Sequence, residues 1–157
     1  AYLLHRGLQT LPVRVLAQQE NATVVAQWLQ GRPEVERVLH PSLPQCDPAG
    51  LVGRQMSGPG SVLSFALRGG YAAAAAVADT CRLVTHAVSL GGVDTLIQHP
   101  AALTHRPVAP EARPDAGLLR LSVGLESPQD GVADLGRALA VAHEDGVVVE
   151  RELSLAT

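Results

Sequence analysis

Lysine is absent from this 157-residue chain, and all twelve of its basic side chains are arginine. That excludes chemistry needing an amine side chain, above all a Schiff base between this chain and a carbonyl cofactor. Aromatic residues are nearly as scarce: Tyr2, Trp28, Phe65 and Tyr71 make up 3% of the sequence. With a net charge of −3, the chain has neither the basic footprint nor the stacking platform of a nucleic-acid binder. Only two cysteines occur, Cys46 and Cys81, with no Cys-x-x-Cys spacing. A disulfide scaffold is therefore not expected, and a reducing, cytoplasmic setting is. The longest apolar run, Tyr71 to Ala78, is too short to span a bilayer, so no membrane partner is expected. The opening Ala-Tyr-Leu-Leu-His-Arg has neither an initiator Met nor a signal-peptide layout. It reads as a chain entered mid-element, and a fragment is the expectation.

What is present suffices for a core. Apolar residues make up 46%, and a chain of this length forms one domain that buries most of its apolar surface. Leu8, Leu11, Val15, Val24, Val25, Trp28 and Leu29 recur at helical steps, predicting a helix over 1–30 that Pro12 bends or splits. Strands are predicted at 35–39, 61–67, 83–88, 93–97 and 118–123. Helices are predicted at 47–56, opened by Asp47-Pro48, at 71–81, and from Ser127-Pro128 to about His143. Residues 98–117 read as loop, with prolines at 100, 107, 110 and 114, and 147–149 as an edge strand or a frayed end. Strands alternating with helices, without a repeat, give an α/β layered domain.

Few residues suggest chemistry. In L-L-R-L-S-V-G, Leu119, Leu121 and Val123 point one way, and Arg120, Ser122 and Gly124 the other. A guanidinium fixed on a strand beside small neighbours can offer two parallel donors to a carboxylate. By pattern alone, a solvent-facing arginine is the commoner outcome. Ser89-Leu90-Gly91-Gly92 suits backbone approaching a ligand, and suits a plain turn equally. The six histidines, His99 and His105 among them, show no metal-ligand spacing, and no Gly-x-Ser-x-Gly elbow supports a hydrolase. Asp94 and Glu126 read as turn and loop carboxylates.

The run from Ser89 to His105, S-L-G-G-V-D-T-L-I-Q-H-P-A-A-L-T-H, resembles a signature of the cystathionine γ-synthase and methionine γ-lyase family. Arg120 to Glu126 resembles that family's substrate-carboxylate motif. Arg6 to Leu11, Asn21-Ala22, His40 to Leu43, Gln55 to Gly58 and Ser64-Phe65 also match, in order. The resemblance implies the small C-terminal domain of the aspartate-aminotransferase-like, fold type I architecture. Residues 1–30 would be an inter-domain helix and 31–157 the small domain. The large domain, carrying pyridoxal 5'-phosphate and its lysine, would lie outside this chain. The resemblance makes Arg120 the clamp for an amino acid's α-carboxylate, with Ser89 and Leu90 at the edge of the active site. Val88 stands where cystathionine-handling members usually carry glutamate, which resembles methionine γ-lyase. Gly92-Val93 and Ala109 to Arg113 instead look synthase-like, and the segment before Leu118 is shorter than usual. The implied function is the substrate side of a carbon–sulfur lyase or transferase acting on sulfur amino acids, inactive by itself. A synthase-like transferase and a non-catalytic assembly remnant remain alternatives. The expected partners are a small amino acid, the large domain or a companion chain, and a second copy in a homo-oligomer.

Overall fold

The computed structural model describes residues 1–103 and 115–155, the part after His143 by its backbone alone. The helical stretch over 1–30 is split into α1 (Tyr2–Leu8) and α2 (Leu11–Gln30). The break falls at Gln9-Thr10 and not at Pro12, because Pro12 sits in the first turn of α2, where a missing N–H costs nothing. Ala22, Val25, Ala26 and Leu29 follow each other at three- and four-residue steps and form the buried side of α2.

The strands are β1 (Val35–Leu39), β2 (Val62–Leu67), β3 (Thr85–His86), β4 (Leu96–Gln98) and β5 (Leu118–Ser122). They form one sheet in the order β1-β2-β5-β4-β3, with β3 and β4 parallel and every other pair antiparallel. Between strands lie α3 (Gly70–Thr80) and a short α4 (Pro100–Leu103), and α5 (Pro128–Leu155) closes the chain. Alternation decides which face is covered. Leu63, Phe65 and Leu67 of β2, Ile97 of β4, and Leu119 and Leu121 of β5 share one core with Ala74, Val77 and Ala78 of α3. Leu135, Ala138, Leu139 and Ala142 of α5 and the apolar side of α2 complete it. The domain is thus two layers, helices on one face of a mostly antiparallel sheet.

Five sequence expectations differ from this arrangement. No helix forms over 47–56. A 3₁₀ turn covers Pro44–Cys46, and the Asp47 carboxylate then accepts the amides of Leu51 (2.8 Å) and Val52 (2.9 Å). Gly50 and Gly53 take positive φ there, which ends any helical path. The strand expected at 83–88 shrinks to Thr85–His86, because Asp134 of α5 takes the amides of Leu83 (2.8 Å) and Val84 (3.0 Å). Its neighbour begins at Leu96, since the Val93 carbonyl accepts the Leu125 amide at 2.8 Å and the chain is still turning. Pro100 opens a helical turn where loop was expected, and helix runs through 147–149 in place of an edge strand. Prolines 107, 110 and 114 and the 109–113 stretch lie outside the described residues.

Candidate functional site

With Leu119 and Leu121 turned to the helices, Arg120 must emerge on the opposite face of the sheet. It lies in register between Ser64 of β2 and Gln98 of β4, so its stem crosses a row of polar side chains on the two central neighbours. Its Nη2 donates to the Ser89 carbonyl at 2.8 Å. Its Nε is buried with no partner, and among the described residues no carboxylate pairs with it. A half-buried guanidinium with donors to spare is a receptor for a planar anion.

The segment from Val88 to Gly92 passes over this face. Ser89 is its anchor to Arg120 and, among the described residues, the one non-glycine residue with positive φ, at 155°. Gly91 follows at φ 76°, and its amide donates to Ser122 Oγ at 3.0 Å. The small side chain beside Arg120 on β5 therefore also holds the turn. The carbonyl of Gly92 accepts Gln18 Nε2 from α2 at 2.6 Å. Val88 and Leu90 flank Ser89 with exposed side chains. The structure thus brings Arg120 and Ser89 into contact and sets Val88 and Leu90 on the rim. Gly124 must be glycine, because a Cβ there would overlap the Val93 carbonyl.

Support for this loop comes from residues to which pattern reading gave no such role. Glu126 accepts the Thr95 amide at 2.6 Å and the Thr95 hydroxyl at 2.7 Å, and Thr95 Oγ1 in turn accepts the Gly124 amide at 2.9 Å. It is the loop carboxylate the sequence suggested, but it ties two loops together. Asn21 Nδ2 donates to the carbonyls of Gly124 (3.2 Å) and Glu126 (3.0 Å). Gln18 and Asn21 lie three apart, beside the apolar side of α2. Polar residues at the border of such a stripe were the available signal, since buried amides need partners.

The remaining titratable groups serve the scaffold. His40 is buried, donating through Nε2 to the Gly60 carbonyl (3.1 Å) and accepting the Ser42 hydroxyl at Nδ1 (2.7 Å). Burial pulls its pKa down further than that Gly60 bond lifts it. His99 donates to the Ala116 carbonyl at 2.7 Å beneath the Tyr71 ring. Burial pushes the Cys81 thiol up to about 12, helped by the nearby Asp134 charge, so it is no nucleophile. Among the described residues no three His, Cys, Asp or Glu side chains gather as metal ligands, and no helix is long and apolar enough to cross a membrane.

Fold and site together define an α/β domain with a half-buried guanidinium fixed beside a turn on the open face of its sheet. The chain belongs to the Cys/Met metabolism PLP-dependent enzyme family, whose model matches residues 1–140. It is 56% identical over 139 residues to the L-methionine γ-lyase of Brevibacterium aurantiacum, covering 88% of this chain and 34% of that one. Among solved structures, the cystathionine γ-lyase of Micromonospora echinospora superposes with a TM-score of 0.83 at 45% identity, over 88% of this chain and 37% of the other. A cystathionine γ-synthase from Xanthomonas oryzae, in complex with aminoacrylate and cysteine, gives a TM-score of 0.83 at 44% identity over 88% and 37%. The fold is accordingly the fold type I one. The chain spans about a third of the length of the curated relatives it matches. Family members use pyridoxal phosphate. These 157 residues, without a single lysine, do not fit its covalent attachment.

Proposed function

We propose that this chain is the substrate-side C-terminal domain of a pyridoxal-phosphate-dependent carbon–sulfur lyase or transferase acting on sulfur amino acids, like a methionine γ-lyase or a cystathionine γ-lyase. Residues 1–30 would lie between domains and 31–157 form the small domain, with the cofactor and its lysine held by a large domain or a companion chain. By itself the chain is inactive. The observation that carries this reading is Arg120: a guanidinium on the open face of the sheet, steadied by the Ser89 carbonyl at 2.8 Å, with a buried Nε left to donate. An amino acid's α-carboxylate fits that fork. Ser89 and Leu90 form the wall beside it, and Val88, apolar and exposed, faces a substrate tail without a second charged head.

The chain's part in the reaction is orientation. Fixing the carboxylate fixes the Cα–H and the γ-substituent relative to groups supplied from the large domain. A charge-assisted bidentate contact is worth roughly 1.5–3 kcal/mol. Lysine keeps the charge and loses the fork, so Arg120→Lys lowers kcat/KM for methionine by about one to two orders of magnitude. Arg120→Ala does more damage. The assay follows keto-acid or thiol release by the enzyme completed with its large domain. Turnover of Arg120→Ala within about twofold of the parent, far below the tenfold of 1.4 kcal/mol, overturns the assignment.

A further inference from the structure

We infer that Gln18, on α2, is a positioning residue for the Arg120–Ser89 clamp, an inference that rests on the carboxylate-binding reading above. Among the described residues, three hydrogen bonds involving side chains fix the segment from Val88 to Gly92 against the rest of the domain. Arg120 holds the Ser89 carbonyl (2.8 Å), Ser122 Oγ accepts the Gly91 amide (3.0 Å), and Gln18 holds the Gly92 carbonyl (2.6 Å). The first two come from β5, the strand beneath, and are lost together when the loop lifts. Gln18 is the anchor from a second element. It is only 2% exposed, so its amide is committed to that contact.

Packing does not substitute for it. Gly91 and Gly92 have no side chains, and open space surrounds the place where a Cβ would sit on either. Val88, Ser89 and Leu90 point outward, so no apolar contact draws the turn onto the sheet. Freed from Gln18, the Gly92 end relaxes and the Ser89 carbonyl moves off Nη2. The guanidinium then regains rotamers that do not face a carboxylate, and a misplacement of about 1 Å at such a contact weakens it strongly.

The test reads carboxylate recognition itself. In the enzyme completed with its cofactor-bearing domain, dissociation constants are measured for norleucine, which has no γ-leaving group, and for norleucinamide, which lacks the carboxylate. The ratio of the two reports the clamp and is insensitive to a general loss of stability. Gln18→Met, similar in volume and without the donor, narrows that ratio by about tenfold. In an Arg120→Lys background the same change narrows it little further, because both act on one contact. Gln18→Asn keeps the amide but draws it back by a methylene; it gives an intermediate ratio and serves if Gln18→Met does not fold. A Gln18 variant that weakens both ligands equally, or neither, overturns the positioning role while leaving the clamp intact. An unchanged ratio in Arg120→Lys alone overturns the clamp reading.

Discussion

Asp134 shows how one side chain organises a turn whose only core residue is Val84. It is 8% exposed, and its oxygens accept the amides of Arg82, Leu83 and Val84 and the Arg137 guanidinium, all within 2.6–3.0 Å. Burial raises its pKa, but the Val84 amide, Arg137 and the amides of Leu83 and Arg82 outweigh that, and the net shift is downward. Its contribution to stability is therefore present above the unfolded value of 3.8 and lost as the pH falls through the lower folded value. His40, also depressed, adds a share that is present above 6.5 and lost as the pH falls through its own folded value. Urea midpoints should drop in two stages, first below about 6.5 and again below about 4, and a flat profile between pH 7 and 3 would contradict both assignments. Asp134→Asn turns two N–H groups toward three backbone amides and should cost about 3 kcal/mol in equilibrium unfolding.

The placement of Arg120 on the open face was legible, because alternation on a strand fixes which side chain leaves the core, and the family motifs paired it with Ser89, which it contacts. Gln18 and Asp134 were not, and Asn21 stood out only as part of a family match, without its role. Each lies on or beside a helix face that buries apolar neighbours, and each bonds a segment far away in sequence, so spacing carries no trace of the partner.

At the scale of elements, strong local signals survived and weak ones yielded to tertiary contacts. The alanine-rich α3, the β2 run and β5 formed as their periods require. Asp47-Pro48 looked like a helix start, but two glycines at positive φ turned it into a carboxylate-closed loop. Thr85–His86 is short because its upstream amides are spent on Asp134. The element most out of keeping with an isolated domain is α1, none of whose residues is buried. Leu3, Leu4, Leu8 and Leu11 remain exposed there and at the start of α2. A helix this short is not stable through propensity alone and needs a covering surface. Sedimentation of the 157-residue chain should show self-association across a wide concentration range, which added large domain suppresses. A strictly monomeric chain would contradict that expectation.

For the whole molecule, sequence and structure divide the labour in one way. The sheet's helix-covered face supplies the fold, and its open face carries Arg120, which has no carboxylate partner among the described residues. No lysine accompanies it, and the chain matches only about a third of each relative. On the proposed reading, a domain built so orients a substrate's carboxylate and leaves covalent attachment of the cofactor to a lysine elsewhere. The proposed division at residue 30 rests on the family motifs alone, since the periodicity of 1–30 reads equally as a connecting helix or a core one, and α2 does bury Ala22, Val25, Ala26 and Leu29 in the core. The most direct test is a crystal structure of the completed enzyme with norleucine bound. The account predicts both α-carboxylate oxygens about 2.7–2.9 Å from Arg120 guanidinium nitrogens, with Ser89 still in contact. A carboxylate seated on a different cation, with Arg120 turned to Ser89 alone, would contradict it.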